Sequence, residues 1–229
     1  SKQPSINHYL PLPMRSFLYL YALFLIISIL LLVCLSKEEV FLWINSSHTA
    51  FSDFVFQATT YLGDGIFAAI MVVLLALYKI RLGLVGMFSF VGTGLLVQFL
   101  KKIIFPDQFR PLRYFEGIQD IYVIPGLDTH SFFSFPSGHT ATSFGVFFLL
   151  TLVVSDYTKI KGKSLLGVVF CFIAIAVGYS RIYLAQHFLI DVLVGSAIGT
   201  IVTWMVYHFV STSKYFIKPW MEKSFFTNN

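Results

Sequence analysis

Residues 180–208 read SRIYLAQHFLIDVLVGSAIGTIVTWMVYH. From Phe188 to His208 these are 21 residues in which Asp191 is the only Asp, Glu, Lys or Arg. As a helix, that run rises about 1.5 Å per residue and matches the roughly 30 Å thickness of a bilayer's hydrocarbon core. The eight residues before it carry Ser180, Arg181, Gln186 and His187. The stretch therefore reads as a membrane-crossing helix with a polar cluster at its mouth.

Similar apolar runs recur at 16–35, 64–78, 82–100, 140–155 and 164–180. With 188–208 they predict an all-α fold, a six-transmembrane-helix bundle with both termini on one side. The run from Ser16 to Leu35 lacks a small-residue cleavage pattern and is expected to stay as a helix. Lys37 to Leu62, with Trp43, Asn45 and Asp53 at irregular spacing, is too polar for a clean span. It is expected at the membrane interface after the first helix. Residues 101–139 form a long loop between the third and fourth helices, punctuated by Pro106, Pro111, Pro125 and Pro136. A long ordered loop of this kind is usually functional.

Composition supports this class. Of 229 residues, 57% are hydrophobic and 12% charged, with mean hydropathy +0.78, whereas about a quarter of a soluble chain is charged. Apolar stretches run through nearly the whole length, so residues 1–229 are expected to form a single membrane domain. The net charge of +5 does not indicate nucleic acid, because the basic residues sit in short segments between apolar runs with no basic stripe. They indicate orientation instead. Lys2, Arg15, Lys79, Arg81, Lys159, Lys161, Lys163, Lys214, Lys218 and Lys223, ten of the sixteen, fall on the side of the termini, which the positive-inside rule makes cytoplasmic. The loop 101–139 then faces outward. The tail 214–229, with Trp220, Phe225 and Phe226, reads as an interfacial anchor, and His8 and His208 as interfacial residues. Cys34 and Cys171 fall in apolar segments and are expected to be buried apolar groups, without disulfide or metal.

This topology brings three polar clusters to one face. His187 and Asp191 are four apart at a helix start, so Asp191 reaches one imidazole nitrogen and leaves the other its lone pair. His187 is thus a candidate nucleophile, although a buried His–Asp pair that only ties helices together has the same spacing. Pro136-Ser137-Gly138-His139 precedes a helix starting near Thr140, whose opening N–H groups suit an anion. Gly138 permits close approach, Ser137 supplies a hydroxyl and His139 a titratable proton; an ordinary helix cap fits the same residues. Arg110 and Arg181 carry planar donor forks suited to two phosphate oxygens, and Lys102 adds a point charge. Lys37, Lys101 and Arg113 read as snorkelling interfacial residues. Asp64, in Leu62-Gly63-Asp64-Gly65, reads as a helix start. His130 reads as a solvated loop residue, and the loop aromatics Tyr114, Phe115, Tyr122, Phe132, Phe133 and Phe135 fit a lipid entrance or interface anchoring equally.

Together the clusters resemble the signature of the type 2 phosphatidic acid phosphatase superfamily, which includes lipid phosphatases and vanadium haloperoxidases. Pro136–His139 and Ser180-Arg181, five residues, His187, three residues, Asp191 match in full. The first motif departs from the pattern of Lys, six residues, Arg-Pro. Position 103 is isoleucine, and Lys102 lies one residue further from Arg110-Pro111, with Lys101 as the alternative for the lysine role. The resemblance implies a membrane lipid phosphatase acting on undecaprenyl diphosphate, phosphatidylglycerol phosphate, phosphatidic acid or a lipid A phosphate. His187 would attack phosphorus, His139 would protonate the departing oxygen and Asp191 would orient His187. Lys102, Arg110, Ser137, Gly138 and Arg181 would hold the phosphate, and no metal or other cofactor is implied. A vanadate-dependent haloperoxidase and a non-catalytic lipid-phosphate binding or transport protein are the alternatives. Membrane burial weighs against the first, and charges gathered at one face rather than along the bundle weigh against the second.

Overall fold

A computed structural model of the chain describes residues 10–127, 129–216, 218–222 and 224. Regular structure among them is helical: α1 (Leu12–Cys34), α2 (Lys37–Ser46), α3 (Ala50–Thr60), α4 (Gly65–Tyr78), α5 (Ile80–Phe99), α6 (Pro111–Tyr114), α7 (Gly138–Tyr157), α8 (Lys163–Tyr183) and α9 (Leu189–Thr212). Of these, α1, α5, α7, α8 and α9 are each long and apolar enough to cross a membrane. The expected crossing at 64–78 takes another form. α4 has 14 residues, about 21 Å of helix, which falls short of a hydrocarbon core. It continues α3 through a single 3₁₀ turn, Tyr61–Gly63, and the two helices meet at a bend of 51°. The pair counts as a sixth span when taken as one broken helix.

Local chemistry accounts for where these helices begin. Ser36 and Glu39 form a reciprocal capping box at α2, Thr49 caps α3, Asp64 accepts from Ile66 N at 2.7 Å to start α4, and Ser137 caps α7.

The centre of the bundle is α7, which packs on α8, α9, α5, α1 and α4. In its most apolar window 67% is buried, against 17% for the peripheral α1, so α1 presents most of its surface outward. Tyr21 nevertheless fixes α1 to α9 through a 3.0 Å hydrogen bond with Ser196 Oγ, and it packs on Phe144. Close approach of α9 to α7 depends on Gly195 and Gly199. A Cβ at Gly195 would stand 2.5 Å from Ser137 O, and one at Gly199 2.1 Å from Ala141 O. Small residues four apart let two helix backbones approach closely where lipid offers no hydrophobic drive.

The two ends of the bundle differ. At one, Glu222 receives Lys79 at 2.6 Å and Arg81 at 2.9 Å, and Lys163 donates to Ser155 O at the end of α7. At the other, α2, α3 and the 105–137 loop converge on the α8–α9 turn. Asp53 there accepts hydrogen bonds from Tyr122 and Tyr183 hydroxyls, each at 2.6 Å, and Asn45 Nδ2 donates to Tyr122 O at 2.9 Å. Cys171 is buried as expected, but Cys34 lies on the exposed side of α1, because that helix sits at the periphery and turns only one side to its main partners α8 and α7. Lys2, His8, Lys223, Phe225 and Phe226 lie outside the described residues.

Candidate active site

The spacing from Ser180-Arg181 to His187 corresponds to a particular helix end. α8 closes with Ala185 in the left-handed region at φ 55°. Ala185 N–H donates to Ile182 O and Gln186 N–H to Arg181 O at 3.0 Å, the paired bonds of a Schellman cap. His187 N–H also donates to Arg181 O, at 3.1 Å. The chain therefore doubles back so that the Gln186 and His187 N–H groups share the Arg181 carbonyl. A non-glycine residue held at positive φ is a strain that surrounding packing must impose, and Ala185 is fully buried.

His187 Nδ1 lies 3.2 Å from Asp191 Oδ2. The same carboxylate oxygen accepts the Phe188 N–H at 3.1 Å and a short hydrogen bond from Ser134 Oγ. With Nδ1 facing the carboxylate, that nitrogen carries the proton and Nε2 keeps its lone pair. Burial holds the His187 imidazole well below its ordinary range, and the nearby cations Lys101, Arg110 and Arg181, with His139, push in the same direction. Both effects favour the neutral ring over the imidazolium.

Ser137 N–H donates to Asp191 O at 3.0 Å, which joins the second cluster to the third through the backbone. Ser137 Oγ accepts from Thr140 Oγ1 at 2.9 Å, leaving its own proton for another acceptor. Gly138 and His139 occupy the first turn of α7, where N–H groups have no carbonyl of their own helix to meet. His139 has its Nε2 3.9 Å from Asp64 Oδ2.

Three cations enter this space. Arg110 donates from Nε to Phe132 O at 3.1 Å and from Nη1 to Gln186 Oε1 at 2.6 Å. Burial lowers its guanidinium from the ordinary value, and Asp191 offsets part of that. Arg181 donates to Thr60 Oγ1 at 2.8 Å, while its buried Nε has no hydrogen-bond partner among the described residues. The lysine is Lys101, not Lys102. Lys101 is 7% exposed and donates to Phe133 O at 2.9 Å, whereas Lys102 is exposed. The reason is helical phase. The buried side of α5 runs Leu82, Gly86, Ser89, Thr93, Val97, and four residues on comes Lys101, while Lys102 lies about 100° further round. A single π turn at Leu100–Ile104, closed by Phe105 N–H to Leu100 O at 2.8 Å, then takes up the extra chain before Arg110.

The structure thus brings His187, Asp191, His139, Ser137, Gly138, Arg110 and Arg181 together, and turns Lys102 away. It adds Ser134, Gln186, Thr60 and Asp64, which sequence reading left out. Gln186 lies inside the third motif, next to His187, and Ser134 lies two residues before Pro136, and that proximity is the only signal they carried. Thr60 and Asp64 come from an elbow distant in sequence. Of the loop aromatics, Phe115 is core, packed between Phe41 and Phe188, and Tyr122 is held by Asp53. Phe132 and Phe133 serve through their carbonyls. Lys37 stands over the rings of Tyr114 and Phe188 at 4.8 and 4.9 Å, and Arg113 pairs with Glu116. His130 is exposed. No group of three or more His, Cys, Asp or Glu that could hold a metal occurs among the described residues.

Comparison with known proteins places this geometry. The family model described as "PAP2 superfamily" matches residues 82–215. Phosphatidylglycerophosphatase B of Bacillus subtilis (strain 168) is 34% identical over 88 residues, which is 38% of this chain and 43% of that protein. The match thus spans less than half the length of that curated relative. Among solved structures, LpxE of Aquifex aeolicus is similar with 27% identity and a TM-score of 0.62, over 74% of this chain and 93% of that one. The first transmembrane PAP2 type phosphatidylglycerolphosphate phosphatase from Bacillus subtilis is similar with 26% identity and a TM-score of 0.64, over 88% and 98%.

Proposed function

The chain belongs to the PAP2 superfamily, and from that premise we propose that it is an integral membrane lipid phosphatase working through a phosphohistidine on His187. The observation that carries this reading is an excess of buried cation. Lys101, Arg110 and Arg181 converge on a space where Asp191 is already engaged by His187 and Ser134, and Arg181 Nε has no acceptor in the described residues. Uncompensated buried charge is expensive, so the space is built for an anion, and a tetrahedral phosphate group supplies the oxygens these donors lack.

In this reading His187 Nε2 attacks phosphorus in line, and His139 protonates the departing lipid oxygen. His139 then takes a proton from the water that splits the phosphohistidine. Asp191 holds the Nδ1–H and stabilises the ring as it becomes cationic. Ser134, donating to the same carboxylate oxygen, fixes that carboxylate. Lys101, in place of Lys102, joins Arg110, Arg181, Ser137 and the Gly138 N–H in holding the equatorial oxygens, where the charge of a loose transition state is spread. Residues 1–229 act as one membrane domain of six crossings, one of them the bent α3–α4 pair, with α2 at the interface. The site end of the bundle faces outward and the basic end, with the termini, faces the cytoplasm; a bacterial inner membrane is the setting that fits. The substrate is a lipid phosphate monoester or diphosphate. The relatives' printed names make a phosphatidylglycerol phosphate the first to try, followed by phosphatidic acid, undecaprenyl diphosphate and lipid A phosphates.

The test is phosphate release from this panel in the presence of a chelator, with His187→Ala alongside. Release should continue under chelation and fall by at least about a thousandfold in the variant. A ³²P-labelled substrate, quenched early, should leave an acid-labile, base-stable label on the parent protein and none on His187→Ala. Full activity of that variant would overturn the assignment.

A further inference from the structure

The elbow between α3 and α4 lies directly on the first turn of α7. A Cβ at Gly63 would stand 2.6 Å from His139 O, so the two backbones are in contact there. Two polar side chains of the elbow face the site. Thr60 accepts from Arg181 Nη1 at 2.8 Å. Asp64 divides its carboxylate: Oδ1 accepts the Ile66 N–H at 2.7 Å, and Oδ2 stands 3.9 Å from His139 Nε2. Capping α4 uses one oxygen and leaves the other aimed at the imidazole.

The other charged groups acting on His139 are Arg181 from α8, Arg110 from the loop and Lys101 from the end of α5, all cations, and Asp64 is the one anion among them. His187, on the α8–α9 turn, is neutral, and Asp191 is engaged by His187 and Ser134. Donation of a proton to a leaving group requires an imidazolium, and like charges repel, so an imidazolium at this place calls for a neighbouring carboxylate.

We propose that Asp64 is a positioning residue for His139: its Oδ2 takes the Nε2–H and supports the ring as imidazolium, directing Nδ1–H to the departing lipid oxygen. As His187 Nε2 bonds to phosphorus and the phosphorus–oxygen bond to the lipid breaks, the Nδ1 proton passes to that oxygen. As water attacks and the His187–phosphorus bond breaks, a water proton returns to Nδ1. Asp64 itself neither gains nor loses a proton. At 3.9 Å the contact is longer than a hydrogen bond, and it becomes an ion pair when the ring is protonated.

The inference rests on the reading of His139 as the acid, so the experiment separates the two. Two phosphate monoesters carrying the same lipid chain are compared by release of the leaving group in the first turnover, ahead of phosphohistidine hydrolysis, one with an alkyl and one with a nitrophenyl leaving group, the latter needing no protonation to depart. His139→Ala should lose activity toward the alkyl ester by about a hundredfold or more and keep most of it toward the aryl ester. A uniform loss in His139→Ala would overturn the reading of His139. Asp64→Asn and Asp64→Ser both retain a cap acceptor and lack the charge. Each should lose about tenfold toward the alkyl ester and less than about twofold toward the aryl ester, with the basic limb of kcat moved to lower pH. If His139→Ala behaves as stated while both Asp64 variants lose the two activities equally, or lose neither, Asp64 only caps α4 and the proposal fails. Thermal unfolding of both variants shows which one keeps the fold and so decides.

Discussion

The His187 imidazole has one nitrogen facing Asp191 and a ring that burial and three cations hold well below the ordinary histidine range. The sign of the resulting pH dependence follows. Attack needs the neutral ring, and a lowered value keeps it neutral as pH falls through about 6.5, where a free histidine charges. The acid limb of kcat/KM assigned to His187 therefore lies below that region. Lys101 is the first charged neighbour in order of effect, so Lys101→Gln should move this limb upward in pH as well as lower kcat/KM by about ten- to a hundredfold, as loss of one charge-stabilising donor does. Lys102→Gln, altering an exposed side chain, should change it by less than about twofold. A pH–rate profile of the two variants checks both statements. This lysine also shows how two signals in the sequence compete. Motif spacing favoured Lys102 because it lies nearer Arg110, but the four-residue step through Thr93 and Val97 already pointed to Lys101, and phase along a helix constrains direction more tightly than distance across a loop.

At the level of elements, the long helices were readable because a bilayer demands long apolar runs, and α5, α7, α8 and α9 begin and end within a few residues of expectation. The α3–α4 pair was not. Its polar first half hides the continuity that a 51° bend preserves, and with it the elbow that brings Thr60 and Asp64 to Arg181 and His139. No local pattern announces such a contact, which arises only when α8 and α7 pack on the elbow. What brings the second and third motifs together is more specific still: α9 meets α7 at Gly195 and Gly199, backbone to side chain position, and the Ser137 N–H reaches Asp191 O. Gly199→Val places two methyl groups beyond a Cβ that already meets Ala141 O at 2.1 Å. The helices must part, and the expected loss is about 1–3 kcal/mol of stability with a larger fall in activity. Thermal unfolding in detergent and phosphate release measure the two effects; unchanged values for both would show that this packing is not what holds the site.

For the whole molecule, the decisive asymmetry is between its ends. One gathers Lys79, Arg81, Lys159, Lys161, Lys163 and Lys214 around α4–α5, α7–α8 and the C-terminal turn. The other gathers the candidate site, the 105–137 loop and helices α2 and α3. The basic end carries the cytoplasmic signature, and a charged headgroup can reach His187 only from the water-facing end opposite, since a phosphate does not cross the hydrocarbon core. On the proposed reading, sidedness of the reaction follows from sidedness of charge. Asp120 is exposed in the loop at the site end and Lys161 is exposed at the basic end. In a background with Cys34→Ser, and with Cys171 buried, Asp120→Cys should react with a membrane-impermeant maleimide in intact cells, while Lys161→Cys should react only after the membrane is opened. Because the loop leads directly into Pro136–His139, labelling of Asp120→Cys from outside would place the phosphate site on that same side. The reverse pattern would put the site in the cytoplasm and require a substrate presented on the inner leaflet.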